Sequence, residues 1–140
     1  MKIISSVHVL SVFLSRLSKK DTLGFVPTMG ALHQGHVSLV KKSLHQNSLS
    51  LCSIFVNPTQ FNNKSDLKNY PNRLEEDIKL LKEIGCDILF TPSIKEIYPD
   101  GLPKKEYDFG RLDKVMEGAN RPGHFNGVAM VVSRLFEIIQ

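Results

Sequence analysis

The chain has 140 residues, 41% of them hydrophobic, and a formal net charge of +4; one domain of this size buries about two thirds of its unfolded surface and needs no staple to fold. No run approaches the roughly 18 apolar residues of a membrane span, and the first residues lack the charged, apolar and small-residue order of a secretion signal, so a cytoplasmic protein is the default. Scattered lysines make a small anionic ligand as good an account of the charge as nucleic acid, and Cys52 and Cys86, far apart in apolar surroundings, fit neither a disulfide framework nor a metal clip and imply a reducing compartment.

In chain order, Val7, Leu10, Val12, Phe13, Leu14 and Leu17 recur near helical period and predict an amphipathic packing helix over residues 5–20. Residues 23–26 read as a short strand ended by Pro27, whose ring fixes φ and removes an amide. Val37, Leu39, Val40 and Leu44 fit one helical face over 35–45, and 49–56 is a buried-strand run. Residues 57–71 are polar and too irregular for an element. Leu74, Ile78, Leu81 and Ile84 then make a helix stopped by Gly85, and 87–91 supplies a third strand closed by Pro92. The segment 98–111 reads as loop with room for a short edge strand, 112–118 as a short helix, and 125–140 as an apolar helix through Val128, Val131, Val132, Leu135, Phe136 and Ile139. That last helix meets the chain end without a stop signal, which predicts the front part of a larger design. There is no internal repeat and no low-complexity segment.

Strands alternating with helices of about 12 residues predict an α/β fold with right-handed crossovers and a parallel, doubly wound sheet. Ligands of such sheets collect beyond the carboxyl ends of the strands. Residues 27–36 and 57–61 both follow strands directly and are expected at one edge.

The first of these segments, Pro27-Thr28-Met29-Gly30-Ala31-Leu32-His33-Gln34-Gly35-His36, carries the most informative chemistry. Gly30 and Gly35 let backbone approach a ligand, and a helix starting near Gly35 turns free amides and its positive dipole end toward phosphate. His33 and His36 lie on one side of the first turn, where imidazoles can donate to phosphate oxygens whose charge grows during displacement at phosphorus. The plain alternative is that His33 caps a turn and His36 merely opens a helix. Zinc is a weaker reading, because His8, His45 and His124 have no spacing that completes a site. In the second segment Asn57 and Gln60 place two carboxamides beyond the second strand; Gln60 suits a small hydroxy acid, while Asn57 could simply cap its own turn before Pro58.

Taken together, residues 26–36, 53–61, Asp66-Leu67-Lys68-Asn69-Tyr70-Pro71, Thr91-Pro92 with Glu96-Ile97-Tyr98-Pro99-Asp100-Gly101, and 112–136 with Glu117-Gly118, Arg121-Pro122-Gly123-His124-Phe125 and Gly127-Val128 resemble, in order, the N-terminal half of the pantothenate synthetase (pantoate–β-alanine ligase) family. A lone His-x-Gly-His would point only to the wider nucleotidylyltransferase superfamily. The resemblance implies a Rossmann-like, nucleotidylyltransferase-type parallel sheet with helices on both faces. It also implies that ATP, with magnesium, activates (R)-pantoate as pantoyl adenylate, and that the amine of β-alanine then displaces AMP.

By the same resemblance Met29, Gly30, Ala31, Leu32, His33, Gln34, Gly35 and His36 form the nucleotide-binding loop, with His36 the proton donor and His33 its partner at the phosphates. Gln60 becomes a ligand of pantoate and β-alanine, with Asn57 and Met29 lining the same pocket. No tightly bound organic cofactor, protein-held metal, nucleic acid or membrane partner is implied, and a homodimer is. Thr59, Met130 and Arg134 are small departures from the usual pattern. The large departure is the absence of the family's later Gly-Glu-Lys-Asp segment, its paired glutamines, its Ser-Ser-Arg segment and its small C-terminal domain. The fragment alone is therefore expected to have little or no activity. Two alternatives remain: a nucleotidylyltransferase acting on a phosphorylated small molecule, which predicts cations where Gln60 stands, and a non-catalytic nucleotide-binding or dimer-forming half. Arg121 and His124 have an anion-binding reading and an equally good structural one, and stay outside the catalytic set.

Overall fold

The computed structural model describes residues 1–104, 106–111, 114–115 and 120–140. Four strands, β1 (Lys2–Ile4), β2 (Leu23–Thr28), β3 (Leu49–Ile54) and β4 (Ile88–Phe90), form one sheet in the order β1-β4-β3-β2. All three neighbouring pairs are parallel, with Val26 opposite Cys52 and Cys52 opposite Leu89. Parallel strands need crossovers, and helices supply them on both faces.

Leu10 of α1 (Val7–Leu14) and Val131, Leu135 and Ile138 of the last helix, α6 (His124–Ile139), pack on one face against Leu51, Ile88 and Phe90. On the other face, Val40 of α2 (Gln34–Gln46) and Leu81 of α4 (Leu74–Glu83) enclose Val26, Cys52, Cys86 and Leu89. The central strands are thus covered twice, which is why β4 reads as an unbroken apolar run and β3 is buried from Ser50 to Ser53, with small serines rather than charged residues among its apolar side chains. Each fully buried leucine or phenylalanine there contributes about 1.5–3 kcal/mol.

Several expectations change. Strand β1 has no counterpart in the sequence reading, because three residues with only Ile4 buried carry no periodicity. Helix α1 stops at Leu14, not residue 20: Arg16 and Leu17 donate to Phe13 and Leu14 in tightened turns, and Ser18 and Asp21 then bond each other. Pro27 lies within β2, not after it, since β2 is the edge strand and a proline there leaves no ladder bond unmade. The irregular 57–71 segment holds a 3₁₀ turn (Pro58–Gln60) and a short helix, α3 (Lys64–Lys68), capped by the Asn63 side chain on the Ser65 amide. Residues 94–97 form a one-turn helix, α5 (Ile94–Ile97), and the described residues of 98–111 contain no strand. The helix expected over 112–118 lies largely outside the described residues, as do Glu117 and Gly118. The stop at Gly85 is as expected, with φ at 82°.

Candidate functional site

The carboxyl ends of β2 and β3 release the two segments expected to converge, and they do. After β2 the chain turns through Gly30, at φ 82°, and Ala31, at φ 50°, into α2. Glycine is at home in that region, but alanine is held there against a cost of about 1 kcal/mol. The holding group is Asp77 of α4, which is buried and accepts the Ala31 amide on Oδ2 and the Leu32 amide on Oδ1, both at 2.8 Å.

His33 is the N-cap of α2. Its Nδ1 accepts from the Gly35 amide at 3.1 Å, while its own amide donates to His36 Nδ1 at 3.3 Å, and the two rings lie 4.1 Å apart between centroids. A nitrogen that accepts carries no proton, so each neutral imidazole is assigned its proton on Nε2. The capping alternative is therefore real, yet it excludes nothing: it spends the inner nitrogens and leaves two Nε2–H donors. Burial pushes the His36 pKa below its ordinary value, the nearby His33 ring adds to the fall, and Asp77 opposes it. Neutral His36 is thereby favoured near pH 7.

The glycine-rich backbone is less open than its composition implies. The Gly30 amide donates to Thr28 Oγ1, those of Ala31 and Leu32 to Asp77, and those of His33 and Gly35 to imidazoles. The first bond of the α2 ladder is from Val37 to the His33 carbonyl, and the His36 amide is taken by the His33 side chain in a capping box, so in this turn it is the Gln34 amide that stays outside these bonds. An anion here would meet the Gln34 amide and two Nε2–H groups rather than a nest of glycine amides.

From the second segment, Gln60 borders a cleft of about 360 Å³ with Met29, Gly30, His36, Phe55, Tyr70 and the Val128, Val131, Val132, Leu135 face of α6. An adjoining cleft of about 510 Å³ shares Met29, Gln60 and Tyr70 and adds Asp66, Asn69, Arg121 and His124. Met29 thus sits where both meet. Burial, and secondarily Asp77, push the Tyr70 pKa up, which keeps its hydroxyl protonated.

Asn57 departs from expectation. It is fully buried, its Nδ2 donates to the Gly127 carbonyl at 2.9 Å, and its Oδ1 accepts from Thr59 Oγ1 at 3.0 Å and Tyr98 at 3.2 Å. Its amide therefore ties the 3₁₀ turn to α6 and builds the wall instead of facing the cleft. His124 Nδ1 lies 3.2 Å from the Gln60 carbonyl, a second tie between the same elements.

Cys52 and Cys86 are buried free thiols; loss of hydration, followed by the neighbouring Cys86, pushes Cys52 up to about 12, and burial raises Cys86 too. Neither is a nucleophile at neutral pH. Among the described residues no group of three His, Cys, Asp or Glu is placed to hold a metal ion, so the zinc reading finds no further ligands.

Sequence reasoning missed Asp77, Tyr70 and the valine face of α6. For Asp77 a signal existed: it stands beside Ile78 on the stripe formed by Leu74, Leu81 and Ile84, an acid where the period calls for an apolar residue.

Fold and site together define a Rossmann-like parallel α/β domain whose histidine-capped helix opens at the carboxyl edge of the sheet. Residues 2–140 match the model of the family described as pantoate-beta-alanine ligase, and the chain belongs to that family. It is 52% identical over 138 residues to a pantothenate synthetase of Cytophaga hutchinsonii, covering 98% of this chain and 48% of the relative. Against the Bacteroides fragilis pantothenate synthetase it is 50% identical, covering 100% of this chain and 50% of the relative. Among solved structures, a Francisella tularensis pantoate-beta-alanine ligase complexed with beta-gamma ATP and beta-alanine superposes with a TM-score of 0.94 at 45% identity, covering 99% of this chain and 53% of that one. A pantothenate synthetase from Thermus thermophilus superposes with a TM-score of 0.88 at 45% identity, covering 100% and 49%. The chain spans about half the length of the curated relatives it matches.

Proposed function

We propose that this chain is the nucleotide- and pantoate-binding half of an ATP-dependent pantoate–β-alanine ligase. A carboxylate oxygen of (R)-pantoate attacks the α-phosphorus of ATP, an acyl–phosphate bond forms and pyrophosphate leaves. The amine of β-alanine then attacks the acyl carbon, loses a proton and expels AMP. Both steps need alignment and charge neutralisation rather than a covalent nucleophile.

The observation that carries this reading is the pairing of His36 with Gln60 across one cleft, with the His33 ring packed against His36 at 4.1 Å. The valine and leucine face of α6 suits the dimethyl body of pantoate, and Gln60 can bond its carboxylate or hydroxyls. Among the described residues that cleft has no lysine or arginine on its walls, and Arg121 lies in the adjoining one, so the Gln60 cleft suits a carboxylate and hydroxyls better than a phosphorylated acceptor. In the proposed reaction His36 donates to oxygen as charge develops on the phosphates, with His33 beside it. Met29, Gly30, Ala31, Leu32, Gln34 and Gly35 shape the loop, and Met29 separates nucleotide from acid. ATP enters as its magnesium complex, the ion carried on the phosphates, and no step is assigned to it. We place the protein in the cytoplasm as a homodimer. No described helix is long and apolar enough to cross a membrane.

The test is ATP–pyrophosphate exchange in the polypeptide at the length its relatives have. Exchange that requires (R)-pantoate, and falls about 100-fold when His36→Ala removes one donor of the oxyanion type, supports the reading. Exchange driven by a phosphorylated acceptor in place of pantoate overturns it.

A further inference from the structure

The loop that presents the histidines is held from behind by a residue that has no place in the reaction just described. Asp77 projects from the first turn of α4, is 3% exposed, and gives one carboxylate oxygen to each of two consecutive amides, Ala31 and Leu32, at 2.8 Å each. Those amides follow the two left-handed residues Gly30 and Ala31. A Cβ on Gly30 would lie 3.1 Å from Asp77 Oδ2, so carboxylate and loop are closely fitted. Burying an ionised carboxylate is expensive unless its oxygens are bonded, and here both are. Left-handed alanine likewise persists only where its surroundings over-determine it. The two costs meet in one clamp, and the residue after Leu32 is the N-cap His33.

We propose that Asp77 is the positioning residue of this site: its carboxylate, by taking the Ala31 and Leu32 amides, sets where α2 begins and therefore where His33 and His36 present their Nε2–H groups. Its consequence for nucleotide binding rests on the reading above; the clamp does not. Because two amides are turned inward to Asp77 and the His36 amide is held by the His33 side chain, the outward donors are the Gln34 amide and the two imidazoles. A buried negative charge can thus stand behind an anion-binding turn without facing the anion.

Asp77→Asn tests this with little change of shape. A carboxamide has one acceptor oxygen and an NH₂ that meets a donor, so one loop amide loses its partner. In the folded variant, amide hydrogen exchange at one of Ala31 and Leu32 rises about 10- to 100-fold, as expected for a lost bond to a charged group, while Val40 in the middle of α2 is unchanged. The His36 ring resonance moves at fixed pH, and ATP affinity falls by at least about 10-fold, the lower end of that range. Glu76→Gln removes the same charge one residue away on the exposed side of α4 and changes none of these. A folded Asp77→Asn with unchanged exchange at both amides and an unchanged His36 resonance overturns the proposal. Should the unaltered chain itself bind no ATP, the nucleotide reading fails while exchange and ring signals still decide the role of Asp77. If Asp77→Asn does not fold, the unaltered chain decides: Ala31 and Leu32 amides as protected as the α2 interior support the clamp, and exchange at the rate of an open loop refutes it.

Discussion

Replacing Gly127 by alanine links the packing of the fold to the geometry of the cleft. The new Cβ would stand 2.5 Å from the Thr59 carbonyl oxygen, 2.7 Å from its carbon and 2.9 Å from the Gln60 amide nitrogen. These are backbone atoms with no rotamer to yield, so α6 and the 3₁₀ turn must separate. Overpacking of this kind costs about 1–3 kcal/mol. The same movement stretches the bond from Asn57 Nδ2 to the Gly127 carbonyl, now 2.9 Å, and weakening it adds about 1 kcal/mol. The sum, about 2–4 kcal/mol, corresponds to a fall in Tm of roughly 8–16 °C at about 4 °C per kcal/mol for a domain of this size. Differential scanning calorimetry reads the fall. Because Gln60 is displaced directly and the histidine loop is not, calorimetric titration should find pantoate affinity lost by about 10-fold or more while ATP affinity holds, as for a misplaced polar contact. An alanine variant with unchanged Tm and unchanged pantoate affinity would refute the close approach of α6 to the turn.

Asn57→Ala removes the second donor to the Gly127 carbonyl and the acceptor of the Tyr98 and Thr59 hydroxyls in a buried network, and should cost about 2–4 kcal/mol in denaturant unfolding. If Asn57 instead faced the cleft, the loss would appear in pantoate binding with little change in stability. For pH, His36 has a folded pKa below its ordinary 6.5, so the unfolded chain binds more protons as pH falls from 6.5 toward the folded value; stability is then highest above 6.5 and declines below it. Urea midpoints measured against pH should show this decline in the unaltered chain and a smaller one in His36→Gln. Cys52 and Cys86 should resist alkylation in the folded chain at mildly alkaline pH and react on unfolding; rapid labelling of either in the native state contradicts their burial.

What could be read in advance followed from periodicity and from residue chemistry at element ends. Helices α2, α4 and α6 were legible because Val37, Val40, Leu81 and Leu135 repeat at helical spacing, and the parallel sheet followed from their alternation with strands. The convergence of His36 and Gln60 was legible from chain order alone, since both follow strands of one parallel sheet. Strand β1 was not, because three residues gain their identity from pairing with Ile88–Phe90, a partner distant in sequence. The course of Pro27 needed knowledge that β2 is an edge. For Asn57 the sequence left two readings, because a carboxamide next to a site looks the same whether it faces the ligand or caps its own turn; the structure has it capping the turn through the Thr59 amide and bonded to the Gly127 carbonyl. Asp77 was hidden among Glu75 and Glu76, where an acidic first turn resembles ordinary helix capping.

The central claim, that one cleft at the carboxyl edge of the sheet receives pantoate beside the histidine-capped helix, is tested most directly by mapping amide and methyl NMR shifts of this chain during titration with (R)-pantoate. The account predicts saturable shifts concentrated at Gln60, Met29, Val128, Val131 and Val132, with ATP shifting His33, Gln34 and His36 in the same sample. Saturable pantoate shifts centred elsewhere, with those residues unmoved, would contradict it.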